Sequence, residues 1–228
     1  MNDISWQIPR STLTHLAHVP TDRAIVVLLR HSVRDHLPPG DVGYCLPVTE
    51  VGRRLAEEFG AHLRGKLRTL RTSPLDRCTQ TAEALARGAQ ADLEIATDRL
   101  LGDPGAFVVD GQRAWTNWAV LGHEGVMKHL VTEAAELPGM ARPGEAARLL
   151  VQHMLAVANG TPGVHVFVSH DLLVTATAAQ LLGKQLDVSD WPWFLEGVFF
   201  WKDGTGLNTA YRGYATVDPS CVPRHVID

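Results

Sequence analysis

The stretch AIVVLLRHSVR, residues 24–34, decides the fold. Its first six residues form an unbroken aliphatic run with no polar alternation, the pattern of a strand covered on both faces. Such a strand belongs inside a sheet with helices on either side. The run stops at Arg30, His31 and Arg34, and Pro38, Pro39, Gly40 and Gly43 then mark a loop.

Working outward, the chain alternates strand and helix signals. Thr49 can cap a helix over 50–64, with Val51, Leu55, Phe59 and Leu63 on one stripe and Gly65 as its stop. Residues 67–72 read as a second strand. Ser73 as N-cap, Pro74 at the first helical position and Asp76 in capping-box spacing then predict a helix to about Arg87, closed by Gly88. Leu93, Ile95 and Thr97 alternate with polar residues as a third strand. Residues 102–143 are irregular, with Gly, Pro, Trp115, Trp118 and short helical stretches. Ala146, Leu149, Leu150, His153, Met154 and Val157 then share one helical stripe, with His153 read as a hydrogen-bonded core or boundary residue. Residues 164–168 are a strand and 171–182 a helix closed by Gly183. Residues 195–202 and 207–216 are two strands joined by a turn at 203–206. The pattern predicts an α/β three-layer sandwich: a mostly parallel sheet with helices on both faces. It makes one domain over 1–228, with the insertion at about 102–143 forming a lid.

Composition narrows the function. The chain has 228 residues, 45% hydrophobic and 20% charged, which is ordinary globular composition. A net charge of −4 provides no basic field for general nucleic-acid or membrane binding. Cys45, Cys78 and Cys221 are too scattered for a disulfide framework or a CxxC metal site. The N-terminal residues carry Asp3 and Pro9 and lack a secretory pattern, and no apolar run approaches the roughly 20 residues that span a bilayer. A cytoplasmic protein without nucleic-acid or membrane partners is expected. His15, His18, His62, His123 and His129 show no metal-binding spacing, so neither a metal nor a cofactor is expected.

In a sheet of this kind ligands bind where strand ends lead into helices. Three such junctions carry chemistry here: Arg30-His31-Ser32-Val33-Arg34, Ser73-Pro74 with Arg77 close behind, and Ser169-His170-Asp171. In order and context these motifs resemble the histidine phosphatase superfamily, the group containing phosphoglycerate mutases and histidine acid phosphatases. Arg30, His31 and Arg34 match its Arg-His-x-x-Arg, and RTSPLDRCTQTAE at 71–83 resembles the second signature, with Arg77 as a phosphate-binding arginine. Ser169-His170-Asp171 resembles the signature of the second catalytic histidine, and Thr49-Glu50-x-Gly52 an intervening helix start. The likeness runs from about residue 24 to 183. Ser32 stands where the family usually has Gly, and Gly102 where the mutase-like branch aligns its acidic Glu. Asp171 and Arg34 follow the acid-phosphatase branch instead.

The resemblance implies a metal-independent phosphatase acting on the phosphate monoester of a phosphorylated small molecule. His31 would attack phosphorus through a neutral ring nitrogen and become phosphohistidine, which water hydrolyses. Arg30, Arg34 and Arg77 would cradle the phosphoryl oxygens with charge-assisted bonds, and His170 would add a donor. Asp171 is the first candidate for the acid that protonates the leaving oxygen, and Asp103 the second. Trp115 and Trp118, in the insertion, are candidates for an aromatic wall beside the leaving group, whereas Trp191 is expected to pack in the core. Two other functions fit the same residues: a phosphomutase of the phosphoglycerate mutase type, and a non-catalytic phosphate-binding regulatory protein.

Overall fold

The computed structural model describes residues 6–37, 43–132 and 136–221. Strand β1 (Ala24–Arg30) is the aliphatic run, and its alternate residues serve two cores. Ala24, Val26 and Leu28 face one apolar cluster, and Ile25, Val27 and Leu29 face another. Each strand residue therefore has apolar neighbours whichever way it points, which explains why the run has no polar alternation.

Helix α2 (Glu50–His62), strand β2 (Leu67–Thr72), helix α3 (Asp76–Ala89) and strand β3 (Ile95–Thr97) follow. The insertion supplies α4 (Gly111–Thr132), and α5 (Pro143–Ala158), β4 (Gly163–Ser169) and α6 (Asp171–Leu182) come next. The chain closes with strands β5 (Gly197–Asp203), β6 (Gly206–Tyr211) and β7 (Tyr214–Asp218). The described residues form a seven-stranded sheet in the order β3-β2-β4-β1-β5-β6-β7. Its β3-β2-β4-β1 half is parallel, and the β1-β5-β6-β7 half antiparallel. Buried residues of α2 and α3 line one face, and those of α4, α5 and α6 the other. The expected three-layer α/β architecture is the one observed. Among the described residues, no helix is long and apolar enough to cross a membrane.

Several local readings need correction. An amino-terminal helix, α1 (Arg10–His18), precedes β1; its weak apolar pattern carries no sequence signal, and it docks through the buried Thr12 and Leu16. Ser73 does not cap α3: the N-cap is Leu75, and the helix begins at Asp76. Residues 207–216 form two strands rather than one, reversed at Arg212, whose φ is 51°. The α5 stripe is rotated, with Ala147 and Val151 buried and Leu149 51% exposed. The insertion's helical signal is α4, broken at Gly122 (φ 66°, ψ 177°).

Gly88 also has a different role from the one its sequence context suggests. Helix α3 runs through it to Ala89 and ends at Gln90 in the left-handed region. Gly88 lies against α2, where a Cβ would fall 1.8 Å from the Glu57 carbonyl oxygen. Gly88→Ala should therefore destabilise the protein by about 1–3 kcal/mol through overpacking, more than the better helix propensity returns. A thermal melt should show a fall of roughly 2–4 °C for each kcal/mol. Gly111→Ala, a helical position whose Cβ would meet open space, should show no such fall.

Candidate active site

The register of the parallel strands sets the geometry. Arg30 of β1 pairs with Ser169 of β4, and Thr72 of β2 with Val168. The residues just beyond these strands are His31, His170 and Ser73, so the sheet presents all three on one edge. The His31 N–H donates to the Ser169 carbonyl (2.9 Å) and the Ser73 N–H to the Val168 carbonyl (2.9 Å), extending the ladder one residue into the site.

The two imidazoles lie with ring centroids 5.6 Å apart at 67°. His31 Nδ1 donates to the Ser32 carbonyl at 2.8 Å. A carbonyl can only accept, so the proton is on Nδ1 and the lone pair on Nε2. Burial, reinforced by the nearby His170 ring and the charges of Arg30 and Arg77, holds the His31 pKa well below its ordinary value. His170 Nδ1 faces Arg77 Nη2 at 3.3 Å, and guanidinium only donates. Nδ1 therefore accepts, leaving Nε2–H to donate to Ser73 Oγ at 2.9 Å. Burial, followed by the charge of Arg77, lowers the His170 pKa to about 3. Both rings are neutral at neutral pH.

Three guanidinium groups surround these rings. Arg30 lies 4.2 Å over the Phe194 ring, donates from Nη1 to the Pro192 carbonyl (2.6 Å) and pairs through Nη2 with Asp171 (3.1 Å). Arg77 Nη1 donates to the Gly43 carbonyl. Arg34 Nη1 donates to the Asp35 carbonyl at 2.6 Å. Burial lowers the pKa of Arg34 and of Arg77, and each also feels the charge of Arg30. Among the described residues, the Nε atoms of Arg30, Arg34 and Arg77 are buried without a hydrogen-bond partner. A buried donor left unpaired is costly, and three guanidinium groups whose charges act on one another fit a multivalent oxyanion.

Asp171 is the carboxylate among them. Its Oδ2 meets Arg30, and its Oδ1 lies 3.7 Å from His123 Nε2 and accepts the Leu172 N–H at 2.9 Å. Burial alone would raise its pKa. The contact with His123 and the charge of Arg30 outweigh that and hold the carboxyl well below the usual carboxylate range. Behind Arg30, Glu196 is 3% exposed and binds Arg212 bidentately (2.8 and 3.0 Å). Arg212 also donates to the Ser189 and Trp191 carbonyls, and Glu196 accepts from Ser11 Oγ and the Trp193 N–H. This clamp fixes the segment that brings Pro192 and Phe194 against Arg30.

The sequence profile of the histidine phosphatase superfamily (branch 1) matches residues 26–194. The chain belongs to that superfamily. No curated protein sequence gives a significant match. Among solved structures, a mycobacterial glucosyl-3-phosphoglycerate phosphatase is 20% identical, covering 85% of this chain and 96% of its own, with a TM-score of 0.51. A phosphoserine phosphatase from Entamoeba histolytica is 17% identical over 78% of this chain and 90% of its own, also with a TM-score of 0.51. A phosphoglycerate mutase from Bacillus anthracis is 16% identical over 87% and 93%, again with a TM-score of 0.51. At these identities the likeness shows a shared fold.

As a histidine phosphatase relative, the chain accommodates its two departures structurally. Ser32 is buried without a positive φ, so it needs no glycine. Its hydroxyl donates to the Gly52 carbonyl (2.7 Å) and its N–H to Thr81 Oγ1 (3.0 Å), tying β1 to α2 and α3. Gly102 has φ 155°, and a Cβ there would lie 2.4 Å from Ser73 Oγ and 2.8 Å from His170 Nε2. A side chain at that position would have to displace Ser73 Oγ and the His170 ring. Asp103 partners Arg99 (3.4 Å) and Tyr44 (3.5 Å). The aromatic neighbours of the site are Phe194, 5.6 Å from the His31 ring, and Trp191, edge-on to His123 at 6.2 Å. Of the two candidates for an aromatic wall, Trp115 is 49% exposed and Trp118 packs on the core. His153 bonds Asp98 at 2.6 Å, as its boundary reading anticipated. Ser73 and His123 were missed: the first looked like a cap, and the second has no local motif. Among the described residues, no group of three or more His, Cys, Asp or Glu side chains is placed to hold a metal.

The neutral histidines couple site and stability. An unfolded histidine takes up a proton near pH 6.5, whereas His31 and His170 do so only at lower pH. Their contribution is fully present above about pH 6.5 and is lost as the pH falls below it. His15 and His165, also lowered by burial, act in the same direction. Urea unfolding from pH 7 to 5 should show stability falling by up to about 1.4 kcal/mol per pH unit for each such proton. His31→Gln should flatten that slope by about one proton's share.

Proposed function

We propose that this protein is a metal-independent hydrolase of phosphate monoesters, working through a phosphohistidine on His31. The observation that carries the reading is the His31 Nε2 lone pair, set by the Nδ1 contact to the Ser32 carbonyl, beside three guanidinium groups with unpartnered Nε donors. A neutral imidazole needs no base to attack phosphorus. Arg30, Arg34 and Arg77 spread the charge of the transferring group and favour the in-line transition state. His170, oriented by Arg77 and Ser73, donates to a phosphoryl oxygen by turning its Nε2–H from Ser73 Oγ to the entering ester.

In the first step Nε2 of His31 forms the N–P bond, the P–O bond to the leaving group breaks, and the leaving oxygen keeps the electron pair and takes a proton. In the second, water attacks phosphorus, its proton goes to a base, and the N–P bond returns its pair to His31. Asp171 belongs to this machinery as the anion that holds Arg30. Asp103, paired with Arg99, is the second acidic candidate. The insertion over 102–143 acts as a lid through α4, which reaches the site at His123. A phosphorylated metabolite is the substrate class, and the scattered cysteines favour the cytoplasm as its compartment.

The purified protein should release inorganic phosphate from 4-nitrophenyl phosphate, with rates unchanged by EDTA. Rapid quenching should trap acid-labile, alkali-stable phosphate on the wild type. His31→Ala should lose both the label and at least about 1,000-fold in kcat, as expected for loss of a covalent nucleophile. Phosphate binding without turnover in the wild type would make it a binding protein, and an isomerised ester without free phosphate would make it a mutase.

A further inference from the structure

The leaving oxygen needs a proton, and the two carboxyl groups considered for it are already paired with other side chains. Asp171 is paired with Arg30 at 3.1 Å, so protonating it would unmake the contact that orients that guanidinium. Position 102 is glycine and supplies no carboxyl group, and a Cβ there would have to displace Ser73 and His170. Asp103 is engaged by Arg99 and Tyr44.

One further titratable side chain reaches this cluster. His123 follows the break in α4 at Gly122, where the backbone takes φ 66° and ψ 177°. A Cβ at Gly122 would meet open space, so its place in the chain rests on backbone conformation rather than crowding. The break starts a new helical segment with His123 at its head. Nε2 of His123 lies 3.7 Å from Asp171 Oδ1, the ring stands edge-on to Trp191, and the side chain is 48% exposed. One edge of the ring therefore faces the site's carboxylate while the rest is open at the rim.

We propose that His123 is the general acid for the leaving group, with Asp171 as its anionic partner. This rests on the hydrolase reading above. The imidazolium keeps Nε2–H on the Asp171 carboxylate and gives its Nδ1 proton to the leaving oxygen as the P–O bond breaks. The neutral ring then takes a proton from the attacking water as phosphohistidine is hydrolysed, which restores the starting state. Histidine suits both halves, because one ring nitrogen can stay on the carboxylate while the other gives and takes the proton. The charged groups facing it are Asp171 from α6 and, through Asp171, Arg30 from β1. On its own helix, Glu124 and Lys128 pair with each other.

The test is kcat/KM for full-length wild type and His123→Gln on aryl phosphates whose phenols span a range of acidity, followed across pH. The variant should lose about 100-fold on phenyl phosphate, as expected for a missing general acid, and progressively less as the phenol becomes more acidic. The alkaline fall of kcat/KM should disappear with it. Imidazole added to His123→Ala should restore part of the rate on poor leaving groups, and vanadate inhibition of both variants should match wild type, verifying an intact cradle. An equal loss across the series, or an alkaline fall that persists in His123→Gln, would overturn the assignment and leave the hydrolase reading standing. A wild type that turns over none of the esters would remove both.

Discussion

Crowding of like charge governs this molecule. Arg30, Arg34 and Arg77 converge on one edge of the sheet, with Asp171 as the carboxylate in contact and three Nε donors left unpaired. Such a cluster costs stability unless an anion with several oxygens enters it. The same charges, added to burial, keep His31 and His170 unprotonated. Anion affinity and nucleophile availability thus have one origin.

That crowding is tolerated because the scaffold holds each group from behind. Phe194 and the Pro192 carbonyl fix Arg30, and the buried Glu196–Arg212 pair fixes the segment that carries them. A buried ion pair is weak evidence for stability in itself, but here it sets the position of a functional side chain. On the other side, Ser32 and Thr81 lock the loop after β1 to α2 and α3, which supplies Arg77. Cys78, buried beside His170, has its thiol pushed up to about 12 by burial, so it contributes packing rather than a second nucleophile.

Glycine at 102 lets the loop after β3 press against Ser73 and His170, and the insertion meets Asp171 through His123.

Much of this was decided by local sequence. The aliphatic run of β1 demanded cover on both faces, and Arg30, His31, Arg34, Arg77, His170 and Asp171 stood at strand ends where an α/β sheet binds ligands. Local rules could not reveal contacts between distant segments. Ser73 has the composition of a helix cap, and only the neighbouring strand end shows that its hydroxyl serves His170. Gly88 reads as a helix stop until α2 is laid against it. His123 lies 48 residues from Asp171 in the chain, as the numbering gives, and has no motif of its own. Propensity and periodicity act over a few residues, so they set the elements and the strand-end chemistry. Which side chains meet across the sheet is decided by packing, and that exists only once the chain has folded.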